Sequence, residues 1–277
     1  MTLSRLLVSG SARAVALFVL ACSPDLRATD AAAAANAAPI LHSHNDYERA
    51  RPLGEALEHR AGSVEADIYL VEGRLLVAHD REDVRSERTL QTLYLDPLRE
   101  RARRHGGRVY ADSTEPLILL VDIKSEAGAT YAALAAVLAG YAGLLSRFEG
   151  ARSVPGAVTV IVSGNRDRAA LESARVRHAA MDGRGTDLGG GSPASLIPLV
   201  SDNWSTFFTW RGEGPMPGDQ RRRLHELSAT AKREGRLLRF WNTPDLPAVW
   251  AELLAAGIPV MGTDDLAGLR RYLGGLR

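Results

Sequence analysis

The stretch LHSHNDYERARPLGEALEHRAGSVEADIYLVEGRLLVAHD, Leu41 to Asp80, places two histidine-bearing strand ends and a Glu-x-Asp pair in one short segment. Its VEADIYL portion has the apolar character of a strand. Residues two apart on a strand face the same side, so Glu65 and Asp67 project together. Carboxylates inside an apolar run are costly to bury without partners, and the pair therefore marks a site rather than a core position. Val71 to His79 reads as a hairpin turning at Glu72-Gly73, which brings His79-Asp80 back at an element's end. At the start of the stretch, His42 and His44 end a first strand and share a face.

The complementary half is PLILLVDIKSE, Pro116 to Glu126, where a strand-like run ends in Asp122 and Lys124. If this strand neighbours the first, then Glu65, Asp67, Asp122 and Lys124 face one centre. Three carboxylates there repel one another unless a cation lies among them. The expected ion is a hard divalent one, Mg²⁺ or Ca²⁺, for which the amide oxygen of Asn45 is also a suitable ligand. The Lys124 ammonium offers a point charge for a phosphate oxygen.

Outward from these two segments, apolar strands alternate with helical patterns. Strands are expected at Pro39 to His44, Ser63 to Leu70, Leu117 to Ile123, Ala157 to Ser163, Arg177 to Met181, Ile197 to Ser201, Leu237 to Trp241 and Ile258 to Gly262. Helices are expected at Ala127 to Ser146, Gly218 to Glu234, Pro247 to Ala256 and Asp265 to Leu273. Eight apolar strands, each trailed by a helix or loop, argue for a closed (β/α)₈ barrel over an open doubly wound sheet. The length of 277 residues suits one such barrel. The glycine-rich Gly183 to Ser192 lacks the Lys-Ser or Lys-Thr that a nucleotide-cradling loop needs.

Lys+Arg 34 against Asp+Glu 33 leaves the charge nearly balanced, which implies no bulk attraction to nucleic acid. The basic clusters Arg101 to His105 and Arg221 to Arg223 read as solvated helix faces. One cysteine, Cys22, excludes an internal disulfide framework. It closes an N-terminal pattern of export type, with Arg5 and Arg13 ahead of the apolar core Ala14 to Ala21. FVLAC resembles a bacterial lipobox, in which the cysteine is lipidated; plain secretion, with cleavage in the small-residue stretch up to Ala38, is the alternative. The expected organisation is thus a signal peptide at 1–22, possible membrane attachment through a lipid on Cys22, an alanine-rich tether at 23–38, and a catalytic domain at 39–277. The protein is expected in the periplasm, at the outer membrane, or secreted.

Taken together, HSHNDY followed by Pro-Leu, then VEADIYL, LLVAHD, VDIK, RFWNTPD and GTDD, resembles the superfamily of phospholipase C-like phosphodiesterases over the whole chain after Pro39. That superfamily includes glycerophosphodiester phosphodiesterases and phosphatidylinositol phospholipases C. The resemblance implies a metal-dependent phosphodiesterase in which His44 is general base or nucleophile and His79 is general acid. It implies metal ligation by Glu65, Asp67 and Asp122. In the glycerophosphodiesterase type a metal-binding glutamate follows the proline; here that position is Leu53, and Asn45 would supply the missing oxygen, as in the calcium-using phospholipases C. Trp241 could wall off a headgroup or belong to the core. Two other classes fit parts of the pattern. An amidohydrolase-type zinc barrel would use His42, His44, His178 and Asp264, and a non-catalytic envelope lipoprotein would keep the barrel as a scaffold.

Overall fold

Eight parallel strands pair in a closed ring, and the pairing that closes it joins the first strand to both the second and the last. A computed structural model describes residues 38–275. The barrel strands are β1 (Ile40–Ser43), β2 (Ser63–Val71), β4 (Leu117–Ile123), β7 (Val158–Gly164), β9 (Ala179–Gly183), β10 (Leu199–Asn203), β11 (Leu237–Trp241) and β12 (Val260–Thr263). Between them lie helices α1 (Gly54–Glu58), α2 (Asp96–Arg104), α3 (Ala127–Ala139), α4 (Arg168–Ser173), α5 (Trp204–Phe207), α6 (Gly218–Arg233), α7 (Pro247–Ala255) and, after β12, α8 (Leu266–Gly274). The expected (β/α)₈ barrel is what the chain forms. The readings of residues 1–37, including the export pattern and Cys22, lie outside the described residues. Among the described residues no helix is long and apolar enough to cross a membrane.

Two apolar compartments hold the barrel together. Alternate strand residues face outward under the helices and form the larger core with Leu134, Leu138, Leu224, Leu227 and Trp250. The others face the lumen, where Ile118, Leu120, Ile161, Leu199 and Val260 make a smaller plug. Each such side chain contributes about 1.5–3 kcal/mol by leaving water.

The hairpin turns where expected. β2 pairs antiparallel with β3 (Arg74–Val77) from Ile68↔Val77 to Val71↔Arg74, leaving a two-residue turn. Glu72 and Gly73 both take positive φ, 48° and 77°, the requirement of a type I′ turn. Past β3 the Ala78 N–H donates to the Asp67 carbonyl at 3.3 Å, which sets His79 beside Asp67.

Three elements differ from expectation. Helix α3 stops at Ala139, because Leu144 and Leu145 are buried and Leu145 bridges to Val158 rather than continuing a helix. A small antiparallel sheet of β5 (Arg147–Glu149), β6 (Arg152–Val154) and β8 (Val176–Arg177) stands apart from the barrel. The single strand expected at Arg177 to Met181 is therefore two, of which the first joins that sheet and the second, β9, joins the barrel.

Candidate active site

The site lies where the parallel strands end, the face on which loops of such barrels assemble their chemistry. Register decides which carboxylates meet. Asp67 pairs with Asp122 and Glu65 with Leu120 across β2 and β4, so the two aspartates sit side by side with Glu65 one step below. Carboxylate oxygens of Glu65, Asp67 and Asp122 all lie within 4.8 Å of one another. Lys124 Nζ bridges two of them, 3.0 Å from Asp67 Oδ2 and 3.2 Å from Asp122 Oδ1.

Burial pushes the Asp67 carboxyl up to about 6; Lys124 opposes this, and the charges of Glu65 and Asp122 add to it. Burial raises Asp122 as well, against the pull of Lys124. Negative charge thus remains in excess with the ammonium in place. Asp67 Oδ1 is buried and has no hydrogen-bond partner. This donor set, all oxygen and one atom of it unsatisfied, fits a hard divalent cation.

Glu65 is stabilised from across the lumen. Arg239, reaching over from β11, donates through Nη2 to Glu65 Oε2 at 3.0 Å, and both side chains are buried. Burial opposes the charge on Glu65, but Arg239 and the His42 hydrogen bond hold its carboxyl well below the usual range.

The two histidines of the first strand do different work. His42 is fully buried; Nε2 donates to Glu65 Oε2 at 3.0 Å, so Nδ1 accepts from the Ser63 hydroxyl at 2.7 Å. Burial and the neighbouring Arg239 lower it to about 4, which keeps the ring neutral. Both nitrogens are engaged within the protein, and His178 precedes β9 at the opposite end of the barrel. Among the described residues, the three carboxylates are the only cluster of metal-type side chains. An imidazole-rich zinc centre therefore has no basis in this geometry.

His44 follows β1 and stands at the mouth. Its Nδ1 donates to Asp264 Oδ1 at 2.8 Å, leaving Nε2 as the uncommitted nitrogen. Burial works against the charged ring, but the Asp264 hydrogen bond and the Glu65 charge outweigh it and raise His44 above 6.5. Asn45, next along, takes a left-handed conformation (φ 45°, ψ 43°) that asparagine tolerates better than most residues. That turn brings Tyr47 underneath the site.

The Tyr47 hydroxyl lies 2.7 Å from Asp67 Oδ2 and 3.0 Å from both Asn45 Oδ1 and His79 Nδ1. A hydroxyl has one proton, and the short Asp67 contact takes it while His79 Nδ1–H donates to the same oxygen. His79 is also 3.4 Å from Asp67 Oδ2 and its side chain is 48% exposed. A cavity of about 360 Å³ is lined by His44, Asn45, His79, Arg239, Trp241 and Asp264 among others. Trp241 is 41% exposed at its wall and is not a core residue.

All eight site positions expected from sequence on the described chain gather at this mouth: His44, Asn45, Glu65, Asp67, His79, Asp122, Lys124 and Trp241. Three more do as well. Tyr47 and Arg239 were not expected; an arginine inside the apolar run LLRFW was the available sign of the second. Asp264 was expected only as a zinc ligand, and here it supports His44. Leu53 is 2% exposed, packed in the core with φ 60°, and its N–H donates to the buried Asp46 carboxylate. The position that carries a glutamate in the resembled enzymes therefore points away from the site.

A family model described as AIM6-like phosphodiesterase domain matches residues 31–182, more than half of the chain. The chain belongs to this family. The altered inheritance of mitochondria protein 6 homolog of Arthroderma benhamiae is 30% identical over 267 residues, spanning 84% of this chain and 83% of that protein. Altered inheritance of mitochondria protein 6 of Eremothecium gossypii is 28% identical, over 84% of this chain and 70% of its own. Among solved structures, a glycerophosphodiester phosphodiesterase from Parabacteroides distasonis superposes with TM-score 0.53 at 14% identity, covering 86% of this chain and 97% of that one. One from Agrobacterium tumefaciens gives 0.50 at 15% identity, covering 84% and 99%. At such identities the likeness extends to the barrel fold. This AIM6-like chain thus has the phosphodiesterase barrel its motifs resemble.

Proposed function

We propose that this AIM6-like domain hydrolyses a phosphodiester of the glycerophosphodiester or phospholipid-headgroup type with the help of Mg²⁺ or Ca²⁺. The observation that carries the reading is the clustering of Glu65, Asp67 and Asp122, with a buried unpartnered Asp67 oxygen, beside a cavity walled by two histidines. Those carboxylates, with Asn45, would hold the ion. Bound there, it supplies Lewis-acid charge to a phosphoryl oxygen.

The protein's own groups carry the proton traffic. His44, its Nδ1 fixed by Asp264, takes the proton of the attacking water at Nε2. As the new oxygen–phosphorus bond forms, the bond to the leaving alkoxide breaks and His79 gives that oxygen a proton. Lys124 places its ammonium against the phosphoryl charge, and Trp241 shields one side of the alcohol arm. His79 receives orientation from the Tyr47 hydroxyl, which ties it to Asp67.

The test is turnover of a chromogenic phosphodiester with added Mg²⁺ or Ca²⁺, beside His44→Ala and Asp122→Asn. Loss of turnover in both variants and on chelation supports the proposal. Equal rates in wild type and variants would instead favour a non-catalytic scaffold. The proposal also covers export with lipidation at Cys22, for which the intact mass of membrane-fraction protein is the check.

A further inference from the structure

A second cleft, of about 600 Å³, opens on the other side of Lys124, whose ammonium also holds Asp67 and Asp122; Ser125, Glu126, Asn165, Arg166 and Arg168 are among its lining residues. Its charges are unequally occupied. The Glu126 carboxylate is spent on capping α3, accepting from the N–H groups of Gly128 and Ala129 at 2.7 Å each. Arg168 is held by Glu172 and Asp187, both at 2.7 Å. Lys124 is held by Asp67 and Asp122. Arg166 is different. It is half-buried, its guanidinium makes one long hydrogen bond of 3.4 Å to the Gly164 carbonyl, and among the described residues it has no ion pair.

The segment bearing Arg166 is built rather than loose. Gly164 has φ +67°, and a β-carbon there would collide with the Asp122 carboxylate, so the chain after β7 lies directly against the catalytic acid cluster. Asn165 then ties the segment to the end of β4, donating its backbone N–H to the Ile123 carbonyl at 2.8 Å and its side-chain amide to the Ser125 carbonyl at 3.0 Å. Burial and the like charge of Arg184 push Arg166 below the ordinary guanidinium range. Asp182 and Asp187 pull the other way, but each is paired with another arginine, Arg184 and Arg168 respectively. A partly desolvated guanidinium without an ion pair of its own gains most from an anion with planar or tetrahedral oxygens, which it can hold with paired N–H donors.

We propose that this cleft is a second anion subsite, taking a phosphomonoester or carboxylate group carried on the alcohol arm of the diester, with Arg166 as its main contact. Lys124, common to both cleft and acid cluster, connects this group to the reacting phosphoryl. The assignment rests on the phosphodiesterase reading, deepens it to diesters bearing a further negative charge, and separates them from neutral-armed ones.

Two aryl phosphodiesters serve as probes, alike except that one has a carboxylate on the second arm. Wild type is expected to favour the carboxylate ester by roughly tenfold in kcat/KM, as one charge-assisted contact implies. In Arg166→Gln the ratio collapses toward unity, and in Arg166→Lys it is partly kept. Equal ratios in wild type and Arg166→Gln overturn the assignment, whatever the absolute rates. Titration with inorganic sulfate by calorimetry, run alongside, separates the two proposals. If wild type turns over neither ester, the phosphodiesterase reading fails; sulfate binding that is lost in Arg166→Gln and kept in His44→Ala then still supports an anion site. Sulfate loss in Arg166→Gln with an unchanged ester ratio means that the cleft takes a free anion, and overturns its role toward substrate.

Discussion

The two ends of the barrel lumen are made by the same strands and have opposite chemistry. Toward the N-terminal ends, Ile118, Leu120, Ile161, Leu199 and Val260 fill the space with aliphatic carbon. Two residues further along, β4 gives Asp122 in place of Leu120, and β11 gives Arg239 in place of Leu237. That step is about 7 Å of strand rise. The lower layer is complete in itself. The upper one is not: Asp67 Oδ1 and Arg239 Nε are both buried without partners. Close packing stabilises the first, whereas the second depends on charges that compensate one another and leaves capacity for a ligand.

The largest effect that tests this contrast is on stability. Glu65→Ala leaves Arg239 and His42 buried without their shared acceptor and is expected to cost about 3–5 kcal/mol, as for removal of one partner of a buried pair. Leu120→Ala, at the paired position on β4, should cost about 2–5 kcal/mol through its cavity. The distinguishing measurement is the double variant Glu65→Ala/Arg239→Leu in urea denaturation. It should regain much of the loss, since the stranded charge is gone; no recovery would mean that the upper layer is held by packing after all.

Next comes activity without stability. His44→Ala is expected to lower kcat by about 10²–10⁴. Its ring is 34% exposed, so the denaturation midpoint should barely move. A large fall in the midpoint would recast His44 as a structural residue like His42.

These two histidines show where sequence was informative and where it was not. Alternation along VEADIYL and VDIK was enough to place Glu65, Asp67 and Asp122 together, because period-two facing is local and the strands are adjacent. His42-x-His44 share a face by the same rule, yet their roles diverge through residues far away: Glu65 and Arg239 for His42, Asp264 for His44. Such contacts depend on how the ring closes, which places β12 beside β1, and one strand's pattern has no record of it. Tyr47 was hidden for a different reason. It belongs to a short turn set by the left-handed Asn45, where no periodicity operates. The small sheet of β5, β6 and β8 was missed because strands of two or three residues with arginine and serine lack an apolar pattern.

The third effect is a shift in pH dependence. A base must be neutral to accept a proton, and Asp264 helps hold His44 above 6.5, so the acidic limb of kcat/KM should lie on the high side of that value. Asp264→Asn removes the carboxylate charge and should move this limb to lower pH. The sign for stability follows from the same linkage. A histidine raised in the folded state contributes stability that is fully present below 6.5 and lost as pH rises through its folded value. The midpoint difference between wild type and Asp264→Asn should therefore be larger at about pH 5 than at about pH 9. An unmoved limb would mean that His44 is not the titrating base.

The smallest effect concerns the wall of the mouth. Trp241 continues the inward-facing series of Leu237 and Arg239 on β11 but has climbed past the charged layer into solvent, at 41% exposure. With no hydrogen bond to the site, it can add only contact area to a bound arm, and it does so in ground state and transition state alike. Trp241→Ala should then raise KM by roughly three- to tenfold, the worth of a partly buried aromatic face, with kcat nearly kept. Equal losses in kcat and kcat/KM would show that the indole contacts the diester only as the bond breaks. In that case the boundary between charged layer and apolar rim would lie one strand step higher than Arg239.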